Sequence, residues 1–175
     1  MPEPLRLFYT ILYTEWGNLW IGSTDRGICA LVLDHVDEEK IHQGVKSALG
    51  IVPQRDDEQF EAVRERLRAY FRGEKVLFDF PLDLRGVSVF QKAVWDQTRR
   101  ISYGATVSYQ KLAAELGKPH QARAVGRALG ANPVPLLIPC HRVVHEDGSL
   151  GGYTGGLQWK QRLLAIEQGE LRLNF

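Results

Sequence analysis

Pro133, Pro135 and Pro139 fall within the stretch NPVPLLIPCHRVV, residues 132–144, and dictate what that part of the chain can be. Each pyrrolidine ring removes an amide donor and holds the preceding residue extended, so the segment cannot be helical. The expectation is a stretched chain that delivers Cys140 and His141 side by side. Successive side chains of an extended strand point to opposite faces, so the Cys140 thiol and the His141 ring would not meet directly. If the two cooperate, something must bridge them.

The remainder of the chain frames that pair. With 175 residues, 44% of them hydrophobic, one domain or two small ones sharing a boundary are expected, with a real core. No apolar run approaches the roughly 20 residues needed to span a bilayer, and the amino end lacks the layout of a signal peptide. A cytoplasmic location is expected, or a nuclear one in a eukaryotic source, with no membrane partner. Cys29 and Cys140 are the only cysteines, which argues against a disulfide framework and suits a reducing compartment. Cys29, inside an apolar run, reads as a small core hydrophobe. Residues 1–85 hold 11 Lys/Arg against 15 Asp/Glu, whereas residues 86–175 hold 11 against 6. The carboxy half is the basic half, as a polyanion partner would require.

Three apolar runs open the chain, LRLFYTILYT, GNLWIGSTD and GICALVLDH, separated by EWGN and TDRG; they read as an antiparallel meander. In DDEQFEAVRERLRAYFRG, Phe60, Val63, Leu67, Tyr70 and Phe71 recur at helical spacing, with acids in the first turn and Gly73 at the end. An amphipathic helix on the sheet is expected. FDFPLDLRGVS then breaks the pattern, so the domain boundary is placed there: 1–85 as an α/β part that buttresses the rest, 86–175 as the working part. Ser88 and Gln91 form a capping box for a helix whose stripe is Phe90, Val94, Trp95 and Ile101.

Residues 106–133, TVSYQKLAAELGKPHQARAVGRALGANP, hold two short helices. Ser108 caps the first, which buries Leu112, Ala113 and Leu116 and is broken by Gly117 and Pro119. The second runs from about His120 to Leu129. Helix, tight glycine turn, helix is the layout of a helix-turn-helix, whose second helix addresses DNA. Spacing turns Ala122, Val125 and Leu129 inward and leaves Arg123, Gly126, Arg127 and Gly130 outside. Major-groove readers carry long polar side chains, whereas this face is thin and basic. It suits a narrow minor groove, or close packing on a neighbouring element.

Three chemistries compete for Cys140 and His141. As metal ligands with His145 they lack a fourth partner and any paired Cys or His spacing. As a thiol hydrolase, Cys140 would attack an acyl carbon, with a distant group orienting the histidine. As an alkyl acceptor, a Cys140 thiolate would take an alkyl group from a DNA lesion held by the helix-turn-helix just upstream.

PCHRV at 139–143, with GANPVPLLI before it, GGYTGGLQWKQRLLAIE after it and ARAVGRAL upstream, closely resembles the O6-alkylguanine-DNA alkyltransferases. These proteins move an alkyl group from guanine to their own cysteine. The resemblance is dense from Phe90 to Glu167 and thin over the first 85 residues. It implies a fold of α/β class, with a ribonuclease H-like amino-terminal antiparallel sheet and helix, then a mainly helical winged-helix domain. It implies Cys140 as nucleophile and acceptor, His141 as a base acting through a water, and Glu167 holding the imidazole. Asn132 becomes the hinge between the recognition helix and the active-site strand. By its position Glu167 falls in the last turn of a helix, where the dipole disfavours a negative charge by ~0.3–1 kcal/mol.

The same resemblance implies a flipped guanine, because the O6 substituent of a stacked base is out of a thiol's reach. Arg123 matches a finger that fills the vacated stack, and Tyr109 crowds the phosphate and reaches the base. Gln110, Lys118, Gly126 and Arg127 contribute to the DNA-binding surface. Around the base stand Val143, Tyr153, Thr154 and Pro135, with Tyr109. The carbonyls of Cys140 and Val143 would accept the guanine amino group, and amides near Tyr153 and Thr154 would donate to O6. The implied partner is duplex DNA containing O6-alkylguanine, entered through the minor groove by a monomer. No cofactor and no metal are expected, since Ser23 stands where zinc-carrying members have a cysteine. Nor does the chain have the length or cysteines of the fused activator domain of some bacterial members, so repair without a transcriptional role is expected. Gly152, Thr154, Gly130 and Lys118 depart from common family choices, which bears on the alkyl groups accepted and on phosphate contacts. The competing class is the alkyltransferase-like proteins, which mark lesions without repairing them and carry a tryptophan where Cys140 stands.

Overall fold

A computed structural model of the chain describes residues 5–33 and 37–173. Strands β1 (Phe8–Thr14), β2 (Gly17–Thr24) and β3 (Gly27–Leu33) form the expected meander; Asp34 and His35, at the end of the third apolar run, lie outside the described residues. A two-residue strand β4 (Gln54–Arg55) adds in parallel to β1, giving the order β3-β2-β1-β4. Helix α1 (Glu38–Leu49) makes the crossover and stands outside the elements read from the sequence. Its signals are local: the Asp37 side chain accepts from the Lys40 amide, and Gly50 ends it.

Alternation along the strands gives the sheet two apolar faces. Tyr9, Ile11 and Trp20 pack with Ile41 and Val45 of α1. Leu12, Leu19, Ile21 and Leu31 face helix α2 (Glu61–Phe71), which buries Val63, Leu67, Tyr70 and Phe71. Asp56, Asp57 and Glu58, expected in the first helical turn, lie ahead of α2. The second apolar cluster does not stop at residue 85. It continues into Val94, Trp95, Leu112, Val125 and Trp159. The linker runs back along β3, where the Ile28 amide donates to the Pro81 carbonyl and the Asp83 amide to the Ile28 carbonyl, both 2.9 Å. An edge strand is thereby covered.

The carboxy-terminal half is mainly helical. Helix α3 (Val89–Thr98) opens on the full Ser88–Gln91 capping box. Strand β5 (Val107–Ser108) pairs in parallel with β6 (Val143–Val144). Between them lie α4 (Tyr109–Glu115), capped by Ser108, and α5 (Ala122–Gly130), joined by a turn at Gly117 with φ 71°. Helix α6 (Leu157–Glu167) closes the chain. Helix α5 buries Val125, Ala128 and Leu129. Ala122, expected inward, instead lines the outer groove with Arg123 and Gly126, so the inward stripe begins one turn later than its spacing implied.

Candidate active site

Residues 134–144 are buried without interruption, which is unusual for a loop because its amides need partners. Proline is the local solution: Pro135 and Pro139 bring no N–H into the interior. Asn132 is the other solution. Its Oδ1 accepts from the Val134 amide at 3.0 Å, and its Nδ2 donates to the Ile138 carbonyl at 2.9 Å and to Cys140 Sγ at 3.2 Å. Leu136 sits at φ 75°, a left-handed conformation that costs a branched residue ~1–2 kcal/mol. The Pro133 carbonyl accepts from the Leu31 amide at 2.8 Å, so the edge of the amino-terminal sheet braces the segment.

The chain does not pass Cys140 in extended form. Cys140–Arg142 is a single 3-10 turn, entered from Pro139 at φ −80° and ψ 61°. Even so, the two neighbours part company. Cys140 faces an open groove of about 680 Å³, also lined by Tyr109, Gln110, Arg123, Gly126, Arg127, Tyr153 and Thr154. His141, wholly buried, turns the other way. Its Nε2 lies 2.7 Å from Glu167 Oε1 and therefore carries the hydrogen, since a carboxylate only accepts. Its Nδ1 is buried with no hydrogen-bond partner.

Glu167 ends α6, and its side chain is fully buried, against the dipole of its own helix. Distant residues supply what the helix end withholds. Arg142 Nε lies 3.1 and 3.0 Å from the two carboxylate oxygens, and a terminal nitrogen of Arg142 lies 2.9 Å from Oε1. The Gly104 amide donates to Oε2 at 2.9 Å, and the Tyr70 hydroxyl donates to Oε1 at 2.7 Å. Arg142 also donates to the Ile101 carbonyl at 2.6 Å. Burial would raise the Glu167 carboxyl, but the His141 hydrogen bond and the Arg142 guanidinium hold it down to about 2. Burial lowers His141 below its ordinary value against the pull of Glu167, so the ring is neutral at pH 7. Burial lifts the Cys140 thiol to about 11, opposed by the Asn132 hydrogen bond and the Lys160 charge. The resting cluster is thus a thiol, a neutral imidazole and a neutralised Glu167–Arg142 pair.

Three side chains of this arrangement went unread in the sequence. Tyr70 shares the stripe of α2 and looked like core; Arg142 is one of many arginines; Lys160 sits in a helix of ordinary composition. Lys160 is fully buried, donates from Nζ to the Val143 carbonyl at 2.6 Å and to the Leu150 carbonyl, and lies 5.8 Å from the Tyr109 ring centre. Burial lowers it to about 8. Val143, expected beside the base, is itself fully buried and does not line the groove. His145, against the Tyr109 ring at 5.2 Å, also borders the groove. A metal set does not form from Cys140, His141 and His145, which point apart; among the described residues no group of three His, Cys, Asp or Glu is gathered.

Of the other expected residues, Pro135 is buried in the braced loop and Lys118 is exposed in the α4–α5 turn; neither lines the groove. Thr154 Oγ1 donates to the Gly130 carbonyl at 3.2 Å, tying the glycine-rich loop to the end of α5. Gly151, at φ 65°, leaves room for Tyr109: a Cβ there would stand 2.7 Å from the tyrosine oxygen.

Residues 7–84 match the 6-O-methylguanine DNA methyltransferase ribonuclease-like domain, and residues 89–169 match the DNA-binding domain of the same family. The inducible methylated-DNA--protein-cysteine methyltransferase of Bacillus subtilis is 34% identical over 167 residues, covering 95% of this chain and 92% of that protein. A methyltransferase of the same name from Mycolicibacterium paratuberculosis is 51% identical over 109 residues, 62% of this chain and 66% of that protein. In structure, the chain superposes on the Mycobacterium tuberculosis OGT in complex with DNA with a TM-score of 0.79 at 34% identity, over 94% of this chain and 95% of that one. The chain belongs to the 6-O-methylguanine DNA methyltransferase family.

Proposed function

We propose that this protein repairs DNA by direct reversal, transferring the alkyl group of O6-alkylguanine once and irreversibly to Cys140. The observation that carries this reading is the split between neighbours. The Cys140 thiol faces a groove bordered by a thin basic helix, while His141 behind it has one nitrogen locked on Glu167 and the other unpartnered.

A groove-facing nucleophile can be reached by a base that has left the stack, and α5 is narrow enough to enter a minor groove with Arg123 at its tip. Tyr109 and Gln110 start the helix that faces it, placed to hold the backbone beside the flipped nucleotide. Duplex DNA is the partner, met by one copy of the chain. With the base seated, His141 Nδ1 takes the thiol proton through a water molecule. The sulfur attacks the alkyl carbon, the S–C bond forms as the C–O6 bond breaks, and the electron pair leaves with guanine. The proton shed by Cys140 balances the one that the restored guanine carries at N1. Amides near Tyr153 and Thr154 and the Tyr109 hydroxyl are placed to steady O6 as charge builds there. Because a thioether is a poor leaving group, each molecule acts once. No helix among the described residues is long and apolar enough to cross a membrane, and we assign the activity to the cytoplasm. The division at residue 85 is retained in this reading.

Intact mass after incubation with an oligonucleotide containing O6-methylguanine tests it. One methyl group per chain, on the peptide carrying Cys140, is expected. No adduct, or methyl on another residue, would overturn the assignment.

A further inference from the structure

We propose that Tyr70, contributed by α2 from the amino-terminal half, is a positioning residue for this transfer: its hydroxyl fixes the Glu167 carboxylate and, through it, the His141 ring. The proposal rests on Cys140 as acceptor and His141 as its base. Tyr70 is 0% exposed, and its hydroxyl donates to Glu167 Oε1 at 2.7 Å, the same oxygen that takes the His141 Nε2 hydrogen. The phenol oxygen lies 3.3 Å from His141 Nε2, so it touches both partners of the pair. Its ring packs against Phe71 at 5.6 Å, Phe78 at 5.7 Å and Tyr103 at 5.9 Å between ring centres.

A buried tyrosine always needs a partner for its hydroxyl, and any carbonyl would satisfy that need. Here the partner is the one oxygen that decides which His141 nitrogen carries hydrogen. Donation from Tyr70 also tempers Glu167. A carboxylate oxygen that accepts a phenol proton draws less strongly on the imidazole N–H, so His141 stays neutral and able to accept at Nδ1. The groups facing His141 are Glu167 and Lys160 from α6, Arg142 from its own turn, Tyr70 from α2 and Tyr153 from the glycine-rich loop. Among them Tyr70 is the neutral donor that reaches Glu167 from the other half of the chain, which makes that half part of the reacting apparatus.

The experiment uses the full chain and a duplex containing O6-methylguanine, measuring single-turnover transfer against pH alongside equilibrium DNA binding. Tyr70→Phe keeps the ring and deletes the oxygen. Transfer at neutral pH should slow by about 10- to 100-fold with DNA affinity unchanged. The acid limb of the rate profile should move up by about one unit, because the lost 2.7 Å donation outweighs the longer contact to Nε2 and a freer Glu167 favours the imidazolium. Tyr103→Phe removes a hydroxyl from the same aromatic cluster and should change neither. A fluorotyrosine at 70, a stronger donor of the same shape, should move the limb down, and it keeps the test open should Tyr70→Phe fail to fold. Wild-type protein that leaves no methyl on Cys140 would overturn the underlying reading. Wild-type transfer with an unshifted limb in both Tyr70 variants would overturn the role of Tyr70 alone.

Discussion

Cys29 and Cys140 are both lifted to about 11, chiefly by burial, yet only one is placed to react. Cys29 lies half-buried in β3, packed with the face that meets α1, and the charged groups felt there are Asp83, which raises it further, and Arg85. Cys140 has an amide donor on its sulfur, a groove in front and a histidine beside it whose other nitrogen is anchored. Resting acidity therefore does not mark the nucleophile. In the proposed reaction, what marks it is a base held ready and a face open to substrate, with the thiol kept protonated until both are engaged.

The most severe test of that contrast is Cys140→Ala, which should abolish transfer while lesion DNA still binds. Any dealkylation by this variant would sink the assignment. Next comes Glu167→Gln, expected to slow transfer by ~10²-fold or more through a less basic His141. The structure adds a second consequence. Gln leaves Arg142 buried without its counter-charge, which should cost about 3–5 kcal/mol of stability, read from denaturant unfolding.

The pH dependence of that effect has a definite sign. Glu167 falls from 4.5 to about 2 on folding, so its contribution is fully present above pH 4.5 and is lost as pH drops toward 2. Wild type should therefore lose its advantage over Glu167→Gln across that window, and a constant difference would count against the buried ion pair. Arg123→Ala acts in front of the sulfur instead of behind it. Binding and transfer should each weaken about tenfold, roughly the 1.4 kcal/mol of one well-placed side chain, and a full rate from duplex DNA would exclude the finger role. The smallest effect belongs to Cys29→Ala, which should take up one methyl per chain at the wild-type rate. A drop in stoichiometry would mean that the two cysteines are less distinct than their surroundings indicate.

Local rules made much of the fold legible. The capping box at Ser88, the Ser108 cap, the Gly117 turn and the strand alternation act within four residues of themselves, and each stands where the sequence put it. Helix α1 carried the same kind of signal at Asp37 and Gly50. The Cys140 turn escaped because proline fixes φ but not ψ, so an extended and a 3-10 continuation read alike.

The sequence by itself singled out the Cys140–His141 pair, the helix-turn-helix and the small, basic residues along one face of α5, because motif, cap and period are written in neighbouring residues. It also named Glu167, through resemblance. Why a carboxylate can be buried at the end of its own helix was decided only in three dimensions. Arg142 lies 25 residues away in sequence, Gly104 lies 63 away and Tyr70 lies 97 away. A charge is stable in a protein interior only where partners converge on it, and no period or spacing encodes convergence from such distances.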